Sequence, residues 1–483
     1  MSALTSFLRS DLVVLGAGKL LQMLLLFIAV RLFTTYLPDN EIGHLILIIS
    51  VASFFGMALI NPVGSFINRK LNSWKDEGTI ASNFLAFNYY VLAVSMLTLL
   101  VPALLAVAGV GESIDTFYFS LLLFLFVYFN TWNQTVIPAL NLLYYRKAFV
   151  IFTLISVALY LIFSSVFVLV YEATALYWFS GQIGGLMIGF LLALAYFYKR
   201  VLDKEDLTLS PLKWGAINGV SSFSLPLAAA TLLFWVLGNS YKLIIEGALS
   251  AEDLAYIGLG LGLATSLAGA VESLIMQVFH APFYKGLAQC QTQQERSLLF
   301  QSFINNTIPV IGGALFVLIA ISPFLLSILA DPRFLSAYIF LMAGLFIEFL
   351  RVSANVLSHA AHSEYQTQRN ISPYLWGAMI ASVASFVAVY STNWQWLVIS
   401  ALTISWLITL LLMLRSARRL LSFSFPWQAL AQLIIYLLPV AVVAFFLWDK
   451  AESILVSFLF SSVSGSYLAL IIFRQYKRRG VDV

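Results

Sequence analysis

The chain has 483 residues, of which 61% are hydrophobic and 10% charged. A soluble domain carries about 25% charged residues, so the composition excludes a soluble globular protein, and long unbroken apolar runs exclude a β-barrel, whose strands would be about ten residues of alternating character. The net charge of +4 does not point to nucleic acid, because the basic residues follow a membrane topology, and the single cysteine, Cys290, excludes an intramolecular disulfide and a cysteine-based metal cluster.

A helix needs about 20 mostly apolar residues to cross a bilayer. Apolar runs read against polar breaks predict about fourteen spans: 11–36, 43–66, 82–109, 116–140, 148–171, 174–198, 214–241, 253–281, 299–329, 335–360, 372–391, 394–414, 428–448 and 452–473. The first run lacks a small-x-small cleavage pattern and reads as an uncleaved first helix. The fold class is an all-α, polytopic membrane bundle.

Basic residues test these spans independently, since loops on the cytoplasmic side are enriched in Lys and Arg. One set of segments holds Arg9; Arg69, Lys70 and Lys75; Arg146 and Lys147; Lys199, Arg200, Lys204 and Lys213; Lys285 and Arg296; Arg369; Arg415, Arg418 and Arg419; and Arg474, Lys477, Arg478 and Arg479. The alternate set holds only Lys242, Arg333 and Lys450. This alternation predicts an even helix count with both termini cytoplasmic. Trp178, Trp394, Trp396 and Trp448 then fall at outer helix ends and Trp74, Trp214 and Trp427 at inner ends, as an aromatic belt requires. Every outer loop is too short for a catalytic ectodomain, because independent domains start near 50 residues.

An internal repeat is readable in the chain. Tyr36-Leu-Pro-Asp-Asn-Glu-Ile-Gly-His44 lies over Ala248-Leu-Ser-Ala-Glu-Asp-Leu-Ala-Tyr256, two acidic turns each preceded by a basic residue, Arg31 and Lys242. Both copies begin on the same side, which describes a parallel repeat. The expected organisation is a six-helix half at 1–200, a second at 201–415, and an added two-helix segment with a basic tail at 416–483.

The segment Val30-Arg-Leu-Phe-Thr-Thr-Tyr-Leu-Pro-Asp-Asn-Glu-Ile-Gly43, with Asn61-Pro-Val-Gly-Ser-Phe-Ile-Asn-Arg-Lys70 after it, resembles the N-terminus of polysaccharide-export flippases of the Wzx type. Phe223-Ser-Leu-Pro226, Asn239-Ser-Tyr-Lys242, Ala255-Tyr-Ile-Gly258 and Ala281-Pro282-Phe283 carry the resemblance into the second half, so that it covers roughly 1–415. That family belongs to the superfamily of multidrug/toxin exporters and lipid II flippases. The resemblance implies a bacterial inner-membrane protein, not an enzyme. It would move undecaprenyl-diphosphate-linked oligosaccharides of O-antigen or capsule type to the outer leaflet by alternating access about a central cavity, coupled to H+ or Na+. It implies no cofactor; the partners are the lipid-linked glycan, membrane lipids and the polysaccharide polymerase machinery. The chain departs from the pattern at Tyr241-Lys242, where an aspartate is common, so residue roles transfer poorly.

Charged residues inside spans are costly, roughly 2.5–3.5 kcal/mol each at the bilayer centre, and so mark polar paths or internal pairs. Lys19, three residues before Gln22 on one helix face, reads as a cationic cavity wall or as a snorkelling lysine. Arg31 and its repeat partner Lys242 read as a basic collar near the outer mouth or as snorkelling side chains. Asn61, in the Asn-Pro-Val-Gly stretch, reads as a broken helix at the cavity or as a cytoplasmic helix end. Glu348 and Arg351 are three apart and can pair on one face, or Glu348 can exchange an ion while Arg351 joins the substrate-cavity candidates. Glu272 has no partner on its own helix and is the preferred ion-coupling candidate, since burial favours the protonated form of a carboxylic acid.

Two glycine patterns read as packing surfaces: Gly181-x-x-x-Gly185-x-x-x-Gly189, and Gly258-Leu-Gly260-Leu-Gly262, which lacks the strand–turn–helix context of a nucleotide loop. Tyr89, Tyr90, Trp132 and Trp235 read either as a glycan-stacking path or as packing residues. The four histidines show no ligand constellation in sequence, so no metal is expected. Two other functions fit less well. A drug or metabolite exporter of the same superfamily shares the architecture, whereas a polysaccharide polymerase or ligase would carry a large outer loop.

Overall fold

The computed structural model describes residues 11–202 and 214–478. Arg9, Lys204, Lys213 and Arg479 lie outside the described residues. The architecture is all helical, without strands among the described residues, and it contains 14 helices long and apolar enough to cross a membrane. They are α1 (Asp11–Tyr36), α2 (Asp39–Asp76), α3 (Ile80–Val107), α4 (Thr116–Leu142), α5 (Arg146–Val170), α6 (Ala175–Arg200) and α7 (Trp214–Ala248). The rest are α8 (Ala251–Leu287), α9 (Gln293–Ala320), α10 (Tyr338–Ser363), α11 (Ile371–Ala388), α12 (Trp394–Arg418), α13 (Trp427–Phe446) and α14 (Ile454–Arg478). The chain divides into two compact units whose boundaries fall within α7 and α8: Met1–Trp235 with Lys242–Ala255, and Val236–Tyr241 with Tyr256–Val483.

In the first unit the α5–α6 contact is set by the glycine stripe. Gly181, Gly185 and Gly189 face Ser164, Tyr160 and Ser156, and at the first two the α5 backbone occupies the place a Cβ would take. Small residues permit such close approach in a bilayer, where packing rather than water exclusion joins helices. Asn133 on α4 donates to Ser156 Oγ and to the Leu186 carbonyl, both at 3.1 Å, which ties α4 to the same pair.

The second span does not stop at Pro62. It runs on to Asp76, and the interruption takes the form of a π segment, Phe55–Ile60, immediately before Asn61. A π turn displaces backbone carbonyls from their usual donors. Tyr90 Oη donates to the Leu59 carbonyl at 2.8 Å, and Trp235 Nε1 donates to the Ser50 carbonyl at 3.1 Å and to Ser53 Oγ at 2.9 Å. Beyond the π segment the helix is amphipathic, with Ile67 and Leu71 buried and Asn68, Arg69 and Lys70 exposed.

The two acidic turns of the repeat have the same form. Helix ends at Tyr36 and Ala248 and helix starts at Asp39 and Ala251 each leave a two-residue link, and both pairs are 212 residues apart. The turns also meet, for Gly43 lies directly against the Ala251 carbonyl, with no room for a side chain. Glu246 accepts from the Gly111 backbone N–H at 2.7 Å and Glu41 from that of Ala175 at 2.7 Å. His44 meets Ser113 Oγ at 2.8 Å through Nε2 and Glu41 at 3.3 Å through Nδ1. These carboxylates and the imidazole hold the linking turns of the first unit together.

In the second unit, α13 packs along α9. Leu430 closes on Gly312, Leu433 on Gly313, and Val317, Leu437, Val440 and Ala444 continue the apolar core. Phe460 of α14 meets Phe324 of the short helix Ser322–Leu329 edge-on at 4.9 Å. Gly377 on α11 packs against Thr409 of α12 and Leu237 of α7. Many large apolar side chains point outward, among them Phe445 and Phe446 of α13 and Leu455 and Val463 of α14, as expected where lipid is the solvent.

Candidate functional site

The second unit carries a polar seam between α8 and α10. The two helices run in the same direction, and residue pairs along them stay in register. Arg351 on α10 donates through Nε to Glu348 Oε2 at 2.5 Å and through Nη2 to Glu272 Oε2 of α8 at 2.9 Å. Thr265 Oγ1 of α8 donates to the other Glu348 oxygen, Oε1, at 2.9 Å. Asn355 Nδ2, one turn beyond Arg351, donates to Glu272 Oε1 at 3.3 Å, and Asn355 Oδ1 accepts from Tyr374 Oη of α11 at 3.1 Å. Every carboxylate oxygen of Glu272 and Glu348 therefore has a donor.

Helix geometry explains the set. Glu348 and Arg351 share a face because they are three apart, and Asn355 is four further on. The arginine's planar fork can serve two acceptors at once, which a lysine's single ammonium does less well. With both carboxylates ionised the cluster holds one net negative charge. Burial grades it: 7% of the Glu348 side chain is exposed, 11% of Arg351 and 20% of Glu272, so Glu272 is the most exposed member. Two acids thus share one guanidinium through charge-assisted hydrogen bonds.

The sequence-derived pair Glu348–Arg351 is thus present, and Glu272 is not isolated: its partner is the same arginine, 79 residues away. Lys19 Nζ lies 3.4 Å from Gln22 Oε1 on the α1 face they share. The apolar stretch of α1 is 11% buried, the least of the fourteen spans, and Lys19, Gln22 and Arg31 are all half-buried on it. Lys242 is half-buried near the end of α7, and Asn61 is exposed just after the π segment. Pro62, the next residue, accepts from Ser224 Oγ of α7 at 3.1 Å through its carbonyl oxygen. Trp132 and Trp235 are buried, with their indole N–H groups donating to Asn88 Oδ1 and to α2 respectively, so these two rings are packing residues; Tyr89 is exposed.

A second cluster on the same two helices escaped the sequence reading. His280 of α8 and His359 of α10 bring their Nε2 atoms to 3.1 Å, and Tyr284 Oη meets His359 Nδ1 at 3.2 Å. A signal was available. His280 and His359 lie eight residues beyond Glu272 and Arg351, so one pairing between α8 and α10 implies the other two turns along.

No protein-family model and no curated protein sequence matches the chain. Solved structures do. The lipid II flippase MurJ in its inward closed conformation superposes with a TM-score of 0.70 at 12% identity, over 96% of this chain and 99% of that one. An inward-facing multidrug resistance MATE family transporter of the MOP superfamily gives a TM-score of 0.61 at 13% identity, over 84% and 98% of the two chains. A eukaryotic MATE transporter gives 0.57 at 10% identity, over 88% and 98%. The chain is similar to these proteins in fold.

Proposed function

We propose that this protein is a flippase that carries an undecaprenyl-diphosphate-linked oligosaccharide repeat unit, of O-antigen or capsule type, from the cytoplasmic to the outer leaflet by alternating access. Its place is the bacterial inner membrane, with both termini cytoplasmic, a reading that the basic-residue alternation supports. Residues 1–200 and 201–415 act as the two repeat halves, with 416–483 an added pair and tail. The observation that carries the reading is the extent of the likeness to a lipid II flippase. It covers 96% of the chain, and what it leaves out is shorter than Trp427–Arg478, so it takes in part of the terminal helix pair. The multidrug transporters align with 84% and 88% of the chain.

In this reading Lys19, Arg31 and Lys242 offer positive charge to the diphosphate, with Gln22 and Asn61 as neutral hydrogen-bonding neighbours. Glu272 and Glu348, sharing Arg351, exchange H+ or Na+ to couple movement to an ion gradient. The two-acid, one-cation seam also supports a second reading, an exporter of cationic drugs or metabolites, since a net negative site favours a cation. Deleting the gene separates the two. The flippase reading expects loss of surface polysaccharide with build-up of its lipid-linked repeat unit inside the cell. Normal surface polysaccharide together with new sensitivity to cationic drugs would favour the exporter and overturn the flippase.

A further inference from the structure

We propose that His280 and His359 form a divalent transition-metal site that ties α8 to α10 near their C-terminal ends. The two Nε2 atoms stand 3.1 Å apart. Two imidazole nitrogens bound to one tetrahedral zinc ion at 2.0–2.1 Å lie about 3.3 Å from each other, so a few tenths of an ångström of ring movement admits the ion. The rings are nearly perpendicular, at 78°, with centroids 4.5 Å apart, so the two imidazoles meet through their nitrogen edges and do not stack face to face.

The surroundings suit imidazole ligation. Metal-bound histidines are oriented by a partner on the other ring nitrogen, and Tyr284 Oη stands 3.2 Å from His359 Nδ1 to fill that role. With the proton on Nδ1, the Nε2 lone pair faces His280. Phe303 of α9 lies parallel to His280 at 6.2 Å and edge-on to His359 at 5.8 Å, closing one side of the pair with an apolar wall. Tyr284 and His362 beside the pair are exposed, and the His362 ring lies 5.6 Å from that of His359. The end of α10 is four residues beyond His359, and a helix C-terminus favours a cation. Among the described residues no three His, Cys, Asp or Glu side chains gather as a metal-binding group. With His280 and His359 as its imidazole ligands, the ion completes its shell with water. Two imidazoles select zinc, copper or nickel over magnesium or calcium, which prefer oxygen.

The test uses the full-length protein purified through a histidine-free tag and stripped with a chelator. Titration with NiCl2 or ZnCl2 is expected to show one saturable equivalent per chain and a rise in melting temperature. His280→Gln and His359→Gln are each expected to weaken binding at least tenfold, and Tyr284→Phe, which removes the orienting hydroxyl, about tenfold. MgCl2 should give no saturable binding. Cu2+ electron paramagnetic resonance of the unmodified protein keeps the proposal falsifiable if a variant fails to fold, with coupling to two imidazole nitrogens expected. A spectrum without imidazole coupling, or nickel binding unchanged in the His280→Gln/His359→Gln double variant, overturns the site.

Discussion

Removing the guanidinium of Arg351 is the sharpest perturbation of the polar seam. Arg351→Ala takes away the cation that Glu348 and Glu272 share at 2.5 and 2.9 Å and leaves two carboxylates facing each other in a largely buried place. A unit charge pair near 4 Å interacts by about 4 kcal/mol at an effective dielectric constant near 20, and breaking a buried pair by deleting one partner typically costs about 3–5 kcal/mol. For a folding unit of this size each kcal/mol moves the melting temperature by about 2–4 °C, so Arg351→Ala is expected to melt roughly 6–20 °C below the unmodified protein in detergent. Glu272→Gln should lose far less. Arg351 keeps Glu348, and the glutamine side-chain oxygen still accepts from Asn355. The Arg351→Ala/Glu348→Gln double variant should recover part of the loss, because it removes the more deeply buried of the two stranded charges. The assay is thermal unfolding of the four proteins in one detergent. An Arg351→Ala protein melting within about 2 °C of the parent, or a Glu272→Gln protein falling as far as Arg351→Ala, refutes this charge balance.

Three further outcomes are expected. Gly185→Leu should prevent the α5–α6 approach, since the Tyr160 backbone occupies the space; overpacking costs about 1–3 kcal/mol where side chains can yield, and backbone cannot, so the loss of monodisperse protein on size-exclusion chromatography should be pronounced. Trp235→Phe keeps the ring but removes the donor to the Ser50 carbonyl and Ser53 hydroxyl; a drop of about 1 kcal/mol in stability, measured by thermal unfolding, is the expected size for the lost hydrogen bonding. Lys19→Ala and Arg31→Ala should each lower surface polysaccharide without lowering protein level, read by gel ladders beside an immunoblot. Unchanged ladders in both variants would remove the basic α1 surface from substrate handling.

The spans were legible because a bilayer demands about 20 apolar residues in a row. Residues 11–36 are the first helix in sequence and in structure alike. Helix ends outside the apolar stretch were not legible. α2 runs ten residues past the expected 66 and α8 reaches Leu287, because amphipathic extensions carry no run of hydrophobic residues. α9 begins at Gln293 on a capping box formed by Thr292 and Glu295, a local signal that hydropathy ignores. The expected span 299–329 is split at Ile321, where Pro323 starts a new short helix.

The candidate site was half legible for the same kind of reason. Glu348 and Arg351 announce their pairing by a spacing of three on one helix. Glu272 and the histidines do not, since their partners lie on another helix and only the α8–α10 register brings them together. The glycine stripe of α6 was readable because its four-residue period is itself the contact. In Gly258-Leu-Gly260-Leu-Gly262, by contrast, Gly260 meets Phe340 and Ala337 of the second unit while a Cβ on Gly262 would meet nothing, so only part of that run serves close packing.

Transport of a lipid-linked glycan is measured by flipping in purified proteoliposomes. Undecaprenyl-diphosphate-linked oligosaccharide is placed in both leaflets, and the fraction reached by an added membrane-impermeant glycosidase is followed with time. Digestion that passes from about half of the substrate toward completion, faster under an imposed proton or sodium gradient and slowed by Glu272→Gln, is the expected result. Digestion that stops at the outer-leaflet half, as in protein-free liposomes, contradicts transport of this lipid.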